Sequence, residues 1–100
     1  MSRRSDACSI SARTKEIVWE RDGHCCILCG SPYAKPEAHF IGRAQNGKGV
    51  EQNIVTLCRE CHTMYDQSEY RPILRERIRK YLQSIYPAWD EKQLEYRKWG

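Results

Sequence analysis

The sequence predicts a small α+β fold. Three observations carry the prediction: two Cys-x-x-Cys pairs, short β-branched segments between them, and a long amphipathic stripe after them. At 100 residues the chain has room for one domain with a modest core.

The elements follow in order. Residues 1–10 read as a flexible basic tail that holds Cys8, with no apolar stretch of the kind a signal peptide needs. A helix is predicted over residues 12–22: Ser11 can cap its start, and Gly23 can take the left-handed conformation that ends it. Ile17, Val18 and Arg21 fall near one face of it. Next comes Cys26-Ile27-Leu28-Cys29-Gly30, where the glycine permits a tight knuckle. Pro32 and Pro36 bracket a connection, and a strand is expected over residues 37–41. Residues 42–49 hold three glycines and Asn46, which predicts a loop. Residues 53–57 are apolar and β-branched and lead into Cys58 and Cys61. A helix is expected from Arg59 onward, and Pro72 suits the first turn of another. In that helix Ile73, Leu74, Ile78, Tyr81, Leu82 and Ile85 recur at spacings of three and four. Pro87 ends it, and Asp90 can cap a last short helix carrying Leu94, Tyr96 and Trp99.

Charge and hydropathy narrow the partners. Lysine and arginine total 17 against 13 acidic residues, a net charge of +4 that favours a polyanion. Arg71, Arg75, Arg77, Arg79 and Lys80 crowd one decade of sequence against Glu76, a pattern suited to a phosphate backbone or to a solvated helix face. Arg43, Lys48, Arg75, Arg79 and Lys80 are the candidate DNA contacts. The mean hydropathy is −0.80. No apolar run approaches the roughly 20 residues that span a bilayer, so no membrane partner is expected and the cytoplasm is the expected compartment.

In a reducing compartment cysteines serve metals more often than disulfides. Cys26, Cys29, Cys58 and Cys61 form two pairs separated by 28 residues. Each pair supplies two thiolates from one turn of chain, which fits a tetrahedral structural Zn2+. Cys25 is an alternative to Cys26 with a less regular spacing. Four sulfurs leave such an ion no open position, so the zinc is expected to be structural rather than catalytic.

The loop closed by the zinc holds a second constellation. His39 is followed after 14 residues by Asn53, after 9 more by His62, and after 4 more by Asp66. On a helix His62 and Asp66 share a face and can reach one hard cation, Mg2+ or Mn2+. Hydrolysis of a phosphodiester needs an attacking water, a base and a cation. His39 has the intrinsic pKa of a base at neutral pH. Asn53 can orient the loop or offer its amide oxygen to the metal.

A Cys-x-x-Cys pair, then His39, then "GKGVEQNIVTLCRECH" with Asn53 and His62, resembles the HNH endonuclease motif in its zinc-bound form, over residues 18–66. The segments "AHFIGRAQNGKGVEQNIVTLCRECHTMYDQS" and "YLQSIYPAWDEKQLEYRKW" are similar to small single-domain HNH proteins of phages and prophages. The resemblance implies a ββα-metal core, with a hairpin carrying His39 and a helix carrying His62 around one divalent ion. It implies His39 as general base, His62 as metal ligand, and Asn53 as a loop-orienting or metal-binding residue. On this basis residues 11–70 are expected to form the zinc-stapled nuclease core and residues 71–100 a helical extension packed on it. The activity implied is a metal-dependent DNA endonuclease or nickase in a bacterial host cell, with phage packaging proteins as partners by resemblance alone. The chain departs from the family at Ala38, where the residue before the base is usually an Asp or His that binds the metal. That departure supports a second reading, a zinc-dependent DNA-binding module with weak or no catalysis.

Overall fold

The computed structural model describes residues 3–97. Two antiparallel strands, β1 (Ala34–His39) and β2 (Ile54–Cys58), lie at its centre. Helix α3 (Arg59–Gln67) follows β2 without a linker, and α4 (Arg71–Ile85) follows α3. Helices α1 (Arg3–Cys8) and α2 (Ala12–Arg21) precede the sheet. This is a small α+β fold whose β1–β2–α3 unit has the order of a ββα-metal core.

Local chemistry explains most boundaries. Ser11 accepts the Thr14 amide at the start of α2. Gly23 and His24 then take left-handed φ angles of 72° and 62°, which turn the chain into the cysteine knuckle. Strand β1 begins at Ala34, earlier than the sequence suggests, and ends before Phe40. Its register shifts by one residue between Lys35 and Ala38. Pro36 sits at that shift, and with no N–H to give the ladder it breaks the pairing there. Phe40 and Ile41 leave the ladder but stay buried, because Tyr65 on α3 donates its hydroxyl to the Phe40 carbonyl at 2.6 Å.

All five residues of β2 are buried. Its Val55 and Leu57 join Phe40, Tyr65, Leu74, Ile78, Leu82 and Leu94 in one apolar cluster, so the stripe of α4 packs as the periodicity predicts. Trp89 meets the Phe40 ring edge-on at 5.6 Å. Arg21 and Asp22 form a polar hub beside this core. Asp22 accepts from Arg21 at 2.7 Å, from the Thr56 amide at 2.8 Å and from the Tyr81 hydroxyl. Arg21 also donates to the carbonyls of Glu51 and Ile54 at 2.7 Å each.

Two terminal expectations are corrected. Residues 3–8, expected within a flexible tail, form α1, and Cys8 is buried. The helix expected after Asp90 is a single 3-10 turn, Glu91–Leu94, capped by the Asp90 side chain. Tyr96 lies beyond it in an extended stretch and donates its amide to the Asn46 carbonyl at 2.7 Å. Trp99 lies outside the described residues.

Candidate active site and zinc knuckle

The four cysteines expected to bind zinc come together: one sulfur from each of Cys26, Cys29, Cys58 and Cys61 lies within 4.8 Å of the others. The Sγ atoms of Cys29 and Cys58 are 3.6 Å apart. Four thiolates at 2.3 Å from one zinc would stand about 3.8 Å from each other, so the spacing fits the ion. Cys25 is outside the cluster, its Sγ turned toward the Asp22 carbonyl. Burial alone would raise the Cys26 thiol, but the backbone amides of Cys58, Cys29 and Leu28 bring it down to about 7. Burial and the crowd of neighbouring sulfurs push Cys61 well up. A divalent cation at the centre resolves that crowding, since it stabilises every thiolate at once.

The knuckle also places the second constellation. Cys58 caps α3 and its sulfur accepts the Cys61 amide at 3.4 Å. The helix that starts on this thiolate carries His62 and Asp66 one turn further on. His62 Nε2 and Asp66 Oδ2 are 3.2 Å apart, both about half exposed. Opposite them, the last residue of β1 is His39. His39, His62, Asp66, Glu37, Lys15 and Arg43 line one open cleft of about 610 Å³. Lys15 and Glu37 pair across its rim at 3.3 Å.

His39 Nε2 lies 3.0 Å from the Cys8 carbonyl oxygen. A carbonyl only accepts, so Nε2 carries the proton and Nδ1 keeps its lone pair. Burial holds the His39 pKa below its ordinary value, and nearby Arg43 and His62 push the same way, against the Cys8 hydrogen bond. The ring is therefore neutral at neutral pH.

Asn53 is fully buried and its side chain is occupied. Oδ1 accepts the Ile41 amide at 2.8 Å, while Nδ2 donates to the carbonyls of Ile41 at 3.1 Å and Lys48 at 2.8 Å. Of the two roles open in the sequence, the geometry is that of the loop-orienting one. Ala38 is buried at 1% exposure and offers no donor. His62 and Asp66 remain as two donors that fit a hydrated divalent cation, since magnesium commonly keeps several waters beside one or two side chains. The cysteine set is the one group of three or more metal-donor side chains found among the described residues.

The candidate nucleic-acid contacts divide. Arg43 is exposed at the rim of the cleft. Lys48 is half-buried and lines a different groove with Trp89 and Leu94, and Lys80 is exposed on α4. Arg75 and Arg79 are both tied to Glu91; Arg75 also lies 4.5 Å over the Phe40 ring and lines the cleft that neighbours the first. They clamp the Glu91–Leu94 turn to α4. Arg71 belongs to the basic run noted in the sequence but not to the candidate DNA contacts named from it. It lies over the Tyr65 ring at 4.4 Å and extends the basic lining from Arg43 along a neighbouring cleft. Sequence reasoning also missed the Cys8 carbonyl, because a backbone acceptor 31 residues from His39 leaves no mark on composition or spacing.

Comparison with known proteins agrees with this geometry. Residues 26–68 match the HNH endonuclease family. The HNH segment thus begins at the first zinc cysteine and ends just past α3. Over 60 residues the chain is 28% identical to Anaredoxin of Nostoc sp. (strain PCC 7120 / SAG 25.82 / UTEX 2576), covering 59% of this chain and 79% of that protein. No solved structure matches. The HNH segment points to a nuclease-type function with a metal site. No helix among the described residues is long and apolar enough to cross a membrane.

Proposed function

We propose that the protein is a metal-dependent DNA endonuclease or nickase. The observation that carries this reading is the single cleft shared by a neutral His39 and the His62–Asp66 pair within an HNH segment. His39 takes a proton from the attacking water at Nδ1, the ring atom left free by the Cys8 hydrogen bond. His62 and Asp66 would hold a Mg2+ or Mn2+ ion, whose charge would stabilise the scissile phosphate. Arg43 and Arg71 offer guanidinium donors along the walls for the flanking phosphates. Asn53 acts through the loop it holds. A place in phage packaging stays with the family resemblance alone.

Plasmid nicking tests the reading. The zinc-loaded protein with added Mg2+ or Mn2+ converts supercoiled plasmid to open-circle or linear form, and His39→Ala lowers the rate at least about a hundredfold. Equal cutting by His39→Ala, or no cutting with either ion, overturns it.

Ala38 favours a second reading, a zinc-dependent DNA-binding module with weak or no catalysis, because a buried methyl group stands where a third donor is wanted. DNA binding that falls with salt and survives without cleavage at any metal concentration distinguishes it.

A further inference from the structure

Helix α1 lies outside the HNH segment, yet its C-terminal carbonyls meet the candidate active site. The Ala7 carbonyl accepts the Gly49 amide at 2.9 Å. The Cys8 carbonyl accepts from His39 Nε2 at 3.0 Å and from Arg43 Nη1 at 3.1 Å. The Cys8 side chain is 1% exposed, which anchors this turn in the fold, and Ser9 and Ile10 continue into the cleft wall. Gly49 permits the approach: a Cβ there would lie 2.0 Å from the Ser9 carbonyl oxygen and 3.0 Å from that of Cys8. A helix of six residues does not hold itself together in water, so its place is set by these contacts.

We propose that the backbone carbonyl of Cys8, delivered by the N-terminal segment, is the positioning group for His39. It fixes the ring orientation and the Nε2–H tautomer, so that Nδ1 faces the cleft as the proton acceptor. The inference rests on His39 being the base. It makes the working site larger than the HNH segment, because the group that orients the base comes from residues that precede it. Arg43, which shares the same carbonyl, is steadied at the cleft rim by the same contact.

Two substitutions displace the carbonyl without touching His39. Gly49→Ala forces the segment away by steric overlap with Ser9. Ser9→Pro removes the Ser9 amide that donates to the Ser5 carbonyl, and it drives Cys8 out of helical conformation, which turns its carbonyl. The test uses the full-length zinc-loaded chain labelled with ¹⁵N-histidine, with His39→Gln assigning the signal. The wild type is expected to show a His39 Nε2–H resonance protected from solvent exchange, with Nδ1 unprotonated. Both substitutions are expected to abolish that protection while zinc content stays at one per chain. Plasmid cleavage is expected to lose on the order of tenfold or more in kcat with KM unchanged. A wild-type ring protonated on Nδ1, or a protected signal that persists in both variants, overturns the proposal. So does a rise in kcat, which would make the segment a cover over the base. If the wild type cuts no DNA, the nuclease reading fails, and the ring resonance still decides whether Cys8 positions His39.

Discussion

Asn53 uses both atoms of its amide to hold the loop that joins the two strands. Its three side-chain hydrogen bonds go to Ile41 and Lys48, so Asn53→Ala would strand buried backbone groups. Urea denaturation should show a loss of about 3 kcal/mol, and a loss below about 1 kcal/mol would contradict this role. His39 makes a different demand, for neutrality. Its pKa lies below the ordinary value, so the unfolded chain binds this proton more readily than the folded one. The stability due to the neutral ring is complete above the unfolded value near pH 6.5 and is lost as pH falls through the folded value. Between about pH 7 and about pH 5, His39→Gln should lose less stability than the wild type, and identical slopes would count against it. The cysteine cluster and the pairing of His62 with Asp66 were legible in the sequence, because Cys-x-x-Cys spacing and the i, i+4 relation are local. The destiny of Asn53 was open, because an amide can serve a metal or a loop, and only its burial distinguishes the two.

At the scale of elements, Asp22 ties the end of α2 to β2 through the Thr56 amide and to α4 through Tyr81. Its side chain is fully buried and that of Arg21 nearly so, at 0% and 10% exposure. Asp22→Ala leaves the guanidinium without its charge partner, and thermal or chemical denaturation should register a cost of about 3–5 kcal/mol. A cost typical of surface pairs, under about 1 kcal/mol, would mean the hub is better hydrated than its geometry implies. Helices α2, α3 and α4 were readable because caps, Pro72 and the apolar stripe act within a few residues. Strand β1 was shifted by Pro36, whose effect depends on which residue faces it across the ladder. Helix α1 escaped notice because it has no stripe of its own and its last carbonyls are satisfied by residues 39, 43 and 49. The pairing of Arg75 with Glu91 was hidden for a similar reason: the two lie 16 residues apart, too far for charge patterning to join them.

For the whole molecule the cysteine cluster would dominate stability once it holds zinc. A structural zinc contributes on the order of 10 kcal/mol, comparable to the total of a domain this size. Stripping it with a chelator should therefore collapse the far-UV circular dichroism and the melting transition together. Elemental analysis of the folded protein should give one zinc per chain, and a stripped chain that keeps a cooperative melt would refute a zinc-built core. The loop of residues 42–49 has a further dependence. Gly49 receives α1, while Asn46 and Gly47 pair with Tyr96 and Glu95, so partners from both sides of the HNH segment brace one short stretch. During synthesis the chain emerges from its N-terminal side first. The knuckle can close once Cys61 is outside the ribosome, but the loop waits for residue 96. A nascent chain thus carries a metal-stapled core with an unfinished cleft until residue 96 has followed the knuckle out.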